Sequence, residues 1–103
     1  MIHVIASIQI QPGKRDAFLA EFHRLMPEVH AEAGCLAYGP TVDIRSSGID
    51  RQAPVRDDVV TIVEQWESLD ALKAHLAAPH MAAYRERVKE MVSGATLHIL
   101  EPA

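Results

Sequence analysis

The amino-acid sequence predicts an α+β fold in which a four-stranded antiparallel sheet carries its helices on one face. Two observations predict this class. Apolar residues repeat with the period of strands in some segments and of helices in others, and the resulting order is strand, helix, strand, strand, helix pair, strand. That order is the split βαβ, ferredoxin-like arrangement. Because 103 residues cannot give two halves a core each, we expect one domain over residues 1–103.

The chain begins with a strand and an amphipathic helix. Apolar residues occupy every second position in "IHVIASIQI", which predicts the strand. From residue 14 to about residue 31, apolar side chains recur at helical spacing, with Phe18, Phe22 and Leu25 among them. Pro27 lies inside this segment and removes one backbone hydrogen bond, so we expect a kink or an early end of the regular helix.

The middle of the chain predicts two strands separated by a loop. Gly34 is expected to end the helix, and residues 36 to about 45 are expected to form the second strand. Residues 46–57 are polar and irregular, which predicts a loop. Alternation in "DVVTIVEQWE" predicts the third strand, with two faces formed by Val60, Ile62, Glu64 and Trp66 and by Val59, Thr61, Val63 and Gln65.

Two short helices and a final strand complete the predicted fold. Ser68 is a good N-cap for a helix of about ten residues, which is expected to end near Ala78 because a proline follows. Pro79 can open the next helix, with Met81 and Tyr84 on its apolar side. The stretch "ATLHILE" predicts the fourth strand.

The first and third predicted strands carry aliphatic residues on both faces. A sheet with one face in water reads polar at every second position, so the face away from the helices is expected to be covered. A chain of this length has no third layer to supply. We therefore expect a homodimer in which the sheet of one copy packs against the sheet of the other.

Composition and charge exclude several classes of partner. The net charge is −4 and no run of Lys or Arg forms a phosphate-binding stripe, so nucleic acid is not an expected partner. The first residues lack the pattern of a signal peptide, and no run approaches the roughly 20 apolar residues of a membrane span. The single cysteine, Cys35, fits a reducing compartment and is expected to be a small buried hydrophobe. A cytoplasmic protein without membrane contact is predicted.

His75 and His80 are the residues that first suggest a metal site. Five positions on a helix correspond to about 140° of rotation, and Pro79 interrupts the helix between them, so the two imidazoles do not share a face. No cysteines or carboxylates stand at ligand spacing, so no metal is expected. The chain also has no Gly-rich phosphate loop, GxSxG elbow, paired-cysteine motif or HExxH motif, and nucleotide-dependent chemistry is unsupported.

One histidine and three aromatic residues are the candidates for chemistry. His75 borders the apolar stripe of its helix, where an imidazole can titrate near neutrality and act as a general base. The alternative is a core-edge histidine that binds a backbone carbonyl. Trp66 either packs in the core or orients an aromatic ligand through its N–H, and Tyr38 and Tyr84 either complete the core or line a pocket as donors.

Three segments of the chain carry a combination of motifs. A strand runs into PGK in "IHVIASIQIQPGKRDAFLAEF", a helix ends in E-x-G-C-x-x-Y in "HAEAGCLAY", and W-E-S leads to A-H-x-x-x-P-H in "VEQWESLDALKAHLAAPHMAAYRERV". Together these segments resemble the antibiotic biosynthesis monooxygenase domain family over nearly the whole chain. Residues 46–57 look longer than the usual connection. The resemblance implies a dimeric α/β barrel, which agrees with the two-sided strands.

The activities of that family are diverse, and single residues narrow them. Some members oxygenate anthrones or hydroquinones without metal or cofactor, some degrade haem, and others process small signalling molecules. The haem-degrading branch has an Asn where this chain has Ser7 and a haem-ligating His at about Arg85, so haem degradation is disfavoured. His75 and His80 match the histidines of the quinol-oxygenase-like pattern.

The resemblance therefore implies a cofactor-independent monooxygenase that oxidises a small aromatic hydroquinone or anthrone-like substrate with O2. His75 and Trp66 are the expected catalytic residues, with His75 as the base or as the residue that orients the base. The expected substrate-binding residues are Tyr84, His80, Phe22, Phe18, Leu72 and Val63. The alternative is a non-catalytic member that binds a small molecule, or one that processes a signalling molecule.

Overall fold

The computed structural model describes residues 1–103, and its elements follow the predicted order. They are β1 (Ile2–Ile10), α1 (Arg15–His30), β2 (Cys35–Thr41), β3 (Val59–Trp66), α2 (Leu69–Leu76), α3 (Pro79–Val88) and β4 (Val92–Leu100). The strands form one antiparallel sheet in the order β2-β3-β1-β4. Strands β1 and β2, which α1 connects, are parallel with β3 between them. This topology confirms the predicted ferredoxin-like split βαβ fold.

Three boundaries differ from those predicted. Helix α1 continues through Pro27 to its end at His30, so it does not end early at the proline. Strand β2 stops at Thr41, and Asp43 just beyond it accepts hydrogen bonds from the backbone and guanidinium of Arg56 near the other end of the loop. Helix α3 ends at Val88, so β4 begins three residues earlier than predicted.

The core lies between the helices and one face of the sheet. Alternate residues of β1 and β3 are buried there, as their period of two predicts. The apolar stripe of α1 packs on this face and contributes Phe18, Phe22, Leu25 and Val29. The Phe22 ring stacks on Tyr38 at 5.2 Å between centroids and meets Tyr84 edge-on at 6.0 Å. An aromatic cluster therefore joins α1, β2 and α3.

Strand β4 extends beyond the helical layer. Leu97 and Ile99 pair with Ala6 and Val4 of β1, which places them on the helix side of the sheet. They are nevertheless 46% and 49% exposed, because no helix covers this edge. No helix of the fold combines the length and the hydrophobicity needed to cross a lipid bilayer.

The predicted N-cap of α2 is present. Ser68 has extended backbone angles, and its side-chain oxygen accepts a hydrogen bond from the backbone N–H of Ala71. We expect Ser68→Ala to lower the free energy of unfolding by about 1 kcal/mol, because an N–H at the start of α2 loses its partner. Urea denaturation measures this change. Ser46→Ala, in the exposed 42–58 loop, is the control and is expected to change stability by less than about 0.5 kcal/mol; equal effects of the two changes would contradict the capping role.

Candidate active site

A cavity of about 380 Å³ lies between α3 and the helix side of the sheet. This volume lies within the range of small-molecule sites, which span about 300–1,000 Å³. Thirteen of its seventeen lining residues are hydrophobic, so the walls disfavour water. The other four are Glu64, His75, Arg85 and Lys89. Glu64 and His75 are buried, whereas Arg85 and Lys89 are exposed, so titratable groups stand inside and cations stand at the mouth.

The structure brings four of the eight expected site residues to this cavity. They are Phe18, Phe22, His75 and Tyr84. Three others do not line it. Trp66 is fully buried against the His75 ring, with 4.6 Å between centroids, and Leu72 is buried in the core. His80 binds the same oxygen of Glu32 as His75 does.

The expectation that Val63 lines the cavity is wrong. Val63 lies between Ile62 and Glu64 along β3, and these two neighbours do line the cavity. Successive strand side chains point to opposite faces, so Val63 points away from the helices. It is 41% exposed and pairs with Ile5 of β1 on that outer face.

Glu32 connects the two histidines. It lies in the turn after α1, and its Oε2 is 2.9 Å from Nδ1 of His75 and 2.7 Å from Nε2 of His80. An ionised carboxylate can only accept hydrogen bonds, so Nδ1 of His75 carries the proton toward Glu32. The other ring nitrogen, Nε2, then has a free lone pair and no partner within the protein. Glu32 thus orients His75 as a carboxylate orients a general base in hydrolase triads.

Burial sets the protonation of His75. The side chain is 2% exposed, and this burial lowers its pKa below the ordinary value because the imidazolium is poorly solvated. The Glu32 carboxylate opposes the shift, but does not cancel it. At neutral pH the ring is therefore neutral and able to accept a proton at Nε2.

Gly34 allows the turn that carries Glu32 to approach α2. Its φ of 81° lies in the left-handed region, where residues other than glycine are strained. A Cβ at this position would stand 2.6 Å from Cβ of Ala71 on α2. The glycine therefore permits both the turn and the close contact that places Glu32 beside His75.

Glu64 is a buried carboxyl on the cavity wall. It is 6% exposed, and its Oε1 accepts a hydrogen bond of 2.9 Å from the indole N–H of Trp66. Burial raises the pKa of Glu64 to about 7; the hydrogen bond from Trp66 opposes the rise, and the charge of Glu32 adds to it. Near neutrality, this carboxyl is present in both its protonated and its ionised forms.

Two tyrosine hydroxyls also open into the cavity. Tyr38 and Tyr84 are 6% and 8% exposed, and neither hydroxyl has a hydrogen-bond partner in the protein. Oγ1 of Thr61 is the only fully buried side-chain polar atom without a partner. The two phenol oxygens are therefore not fully buried and reach open space. Burial raises the pKa of both, and they remain protonated donors at neutral pH.

Sequence reasoning did not assign roles to Glu32 and Glu64, although both had left a signal. Glu32 is the first residue of the E-x-G-C-x-x-Y motif, which also contains Tyr38. Glu64 is the one charged residue on the otherwise apolar face predicted for β3, and a charge in such a position is exceptional.

Cys35 is half-buried rather than buried as expected, and burial raises the pKa of its thiol. No three His, Cys, Asp or Glu side chains form a group able to hold a metal ion.

The fold and the cavity together define a small ferredoxin-like domain with an apolar small-molecule site that contains an imidazole and a carboxyl. Residues 1–87 match the sequence model of the family described as antibiotic biosynthesis monooxygenase. The chain is also 43% identical over 104 residues to the probable quinol monooxygenase YgiN of Escherichia coli strain K12, with 99% of this chain and 98% of that protein covered. The chain therefore belongs to the antibiotic biosynthesis monooxygenase family, as its motifs predicted.

Solved structures show the same fold. Protein SO0527 from Shewanella oneidensis is 27% identical with a TM-score of 0.76, over 96% of this chain and 87% of that one. Protein PA3566 from Pseudomonas aeruginosa is 24% identical with a TM-score of 0.80, over 99% and 93%. Family membership together with this fold places the chain among monooxygenase enzymes.

Proposed function

We propose that the protein is a cofactor-independent monooxygenase that oxidises a small aromatic hydroquinone or anthrone-like substrate with O2. The observation that carries this proposal is His75, a neutral imidazole fixed by Glu32 at the wall of an apolar cavity. The E. coli relative is named a probable quinol monooxygenase, which supports the same class of substrate.

The proposed chemistry starts with removal of a proton. Dioxygen reacts slowly with closed-shell molecules, but a phenolate or carbanion can transfer one electron to it. Nε2 of His75 accepts the proton of the substrate, and the apolar walls strengthen each polar contact by excluding water. Arg85 and Lys89 at the mouth of the cavity favour the anion that this proton transfer forms.

The remaining residues bind and position. Phe18, Phe22 and Tyr84 line the cavity and would contact the aromatic ring of the substrate. The Trp66 ring packs against the His75 ring, so we propose Trp66 as a positioning residue. Nε2 of His80 binds Oε2 of Glu32, the oxygen that also binds His75, and Leu72 of α2 packs in the core.

Oxygen consumption tests the proposal. Protein treated with a chelator and dialysed is supplied with a series of hydroquinones and anthrones in an oxygen electrode, and the rate without protein is subtracted. We expect uptake that saturates with substrate and does not depend on the chelator. Binding without oxygen uptake across the series would instead favour a non-catalytic binding protein.

We also propose that the chain forms a homodimer through the outer face of its sheet. Ile5 and Val63 form a cross-strand pair on that face, and no element of the chain covers Val63. Sedimentation is expected to give twice the chain mass of 11.4 kDa. Val63→Glu is expected to shift the protein to monomer because a charge then enters the apolar contact. Leu69→Glu, on the helical layer and 48% exposed, is the control; a wild-type monomer at micromolar concentration would contradict the dimer.

A further inference from the structure

Glu64 is a buried titratable group for which the proposed base chemistry has no role. Its Oε1 is held by Trp66, whereas Oε2 has no hydrogen bond within the protein. Oγ1 of Thr61 is the only fully buried side-chain polar atom without a partner. Oε2 of Glu64 is therefore not fully buried, and it opens into the cavity that Glu64 lines. Burying a carboxyl is costly unless it is paired or protonated. An unpartnered acidic oxygen in an apolar cavity therefore points to a ligand.

The groups around Glu64 favour a proton on its carboxyl. No cation forms an ion pair with it. The titratable and charged groups near it come from every element packed around the cavity: Glu32 in the turn after α1, Tyr38 and Cys35 on β2, His75 on α2, and Tyr84, Arg85 and Lys89 on or after α3. The two cations are exposed and lie at the mouth of the cavity, while the charge of Glu32 disfavours a second negative charge.

Trp66 connects this carboxyl to the proposed base. Its indole N–H binds Oε1 of Glu64, and its ring lies against the ring of His75. Glu64 and His75 both line the same cavity. An acid and a base thus face one bound molecule from neighbouring positions, an arrangement that suits a step in which one proton leaves and another arrives.

We propose that Glu64 is the proton donor of this site and that it protonates the oxygen that leaves when a substrate hydroperoxide breaks down. This inference rests on the proposed function and adds a catalytic residue to it. The substrate class is a hydroquinone whose ring carbon next to a hydroxyl carries a hydrogen. Reaction of its anion with O2 and reprotonation give a hydroperoxide on that carbon.

The breakdown step balances in atoms and electrons. Nε2 of His75 accepts the remaining proton of the carbon, and the electron pair of that C–H bond forms the new C=O bond. The O–O bond breaks, and the distal oxygen leaves with the proton of Glu64 as water. The carbon is oxidised by two electrons and the peroxide is reduced by two. Glu64 then regains its proton from His75. The overall reaction converts hydroquinone and O2 into hydroxyquinone and water.

Without a proton donor, the same hydroperoxide has another exit. It can lose hydrogen peroxide, so that hydroquinone and O2 give quinone and H2O2. The ratio of these two product pairs therefore measures proton donation separately from the oxygen uptake. A role of Glu64 in folding alone would not change the ratio.

The experiment measures oxygen uptake, H2O2 and hydroxyquinone with methylhydroquinone as substrate, corrected for the reaction without protein. Wild-type protein is expected to form mainly hydroxyquinone. Glu64→Gln is expected to keep consuming oxygen but to raise the H2O2 share at least several-fold. The exposed Glu67→Gln is the control and is expected to match wild type. An unchanged ratio in Glu64→Gln, or wild-type protein that yields only quinone and H2O2, would overturn the proposal.

A second measurement uses wild-type protein alone and does not depend on folding of the variant. The H2O2 share is expected to rise as the pH passes through about 7, because the carboxylate has no proton to give. A ratio that does not change with pH would count against Glu64 as the donor. Wild-type protein without any substrate-dependent oxygen uptake would overturn the proposed function itself, which is a different result from an altered product ratio.

Discussion

Replacing His75 with Gln is expected to lower kcat for substrate-dependent oxygen uptake by about 10²–10⁴-fold, the usual contribution of a positioned general base. Gln has a similar size and can still donate a hydrogen bond to Glu32, but it has no basic nitrogen at the position of Nε2. We expect a smaller change in KM, since Phe18, Phe22 and Tyr84 still line the cavity. Steady-state rates in an oxygen electrode give both constants.

The matched control for this change is His23→Gln, because His23 is exposed on α1 and lies outside the cavity. It is expected to leave kcat within about twofold of wild type, a difference well below 1 kcal/mol in activation free energy. Circular dichroism before and after heating checks that both variants are folded. Unchanged oxygen uptake in His75→Gln would show that another group accepts the proton, even if the family assignment holds.

The fold was predictable because its signals are local. Period-two and helical patterns lie within single segments, and Ser68 and Pro79 mark the beginnings of helices through their own chemistry. The end of β2 was not predictable in the same way. The chain just beyond it carries an ion pair between Asp43 and Arg56, which are 13 residues apart, and such a pair forms only when the loop closes, so no local pattern marks it.

The candidate site was predictable in part. His75 was identified because its helix stripe places it at the core edge, and the structure buries it there. Its partner Glu32 is 43 residues away, and only the packing of the Gly34 turn against α2 brings them together. The side of Val63 was already fixed by the strand alternation, which assigned it to the face opposite Glu64.

The cavity itself has no sequence signal, because it is the space left by several packed elements. Large aromatic rings fill the region between α1 and β2, whereas β4 extends past the helices and leaves its side open. Within this space Glu64 binds the indole N–H of Trp66, the rings of Trp66 and His75 pack together, and Glu32 binds both His75 and His80.

Glu64→Gln is expected to stabilise the folded protein above about pH 7. The pKa of Glu64 is raised from 4.5 to about 7 on folding, so the folded state binds this proton more tightly than the unfolded chain does. Below the unfolded pKa, both states are protonated and the side chain carries no ionisation penalty. As the pH rises toward about 7, the unfolded chain releases its proton first, and the stability of the folded protein falls.

The full loss above about pH 7 is on the order of 3 kcal/mol, because each unit of pKa difference corresponds to about 1.4 kcal/mol. Gln cannot ionise, and its side-chain oxygen can still accept the hydrogen bond from Trp66, so the variant avoids this loss. His75 also titrates, but it is present in both proteins, and its contribution cancels in the difference between them. Urea denaturation measures that difference at acid pH and near pH 8, followed by the fluorescence of Trp66, the only tryptophan.

All measurements use one protein concentration, because dimerisation adds stability by mass action. The gain in unfolding free energy of Glu64→Gln over wild type is expected to grow with pH, because a carboxyl that ionises in an apolar cavity destabilises the folded protein. A gain that does not change with pH would mean that Glu64 is already ionised, or solvated, in the folded protein throughout the range.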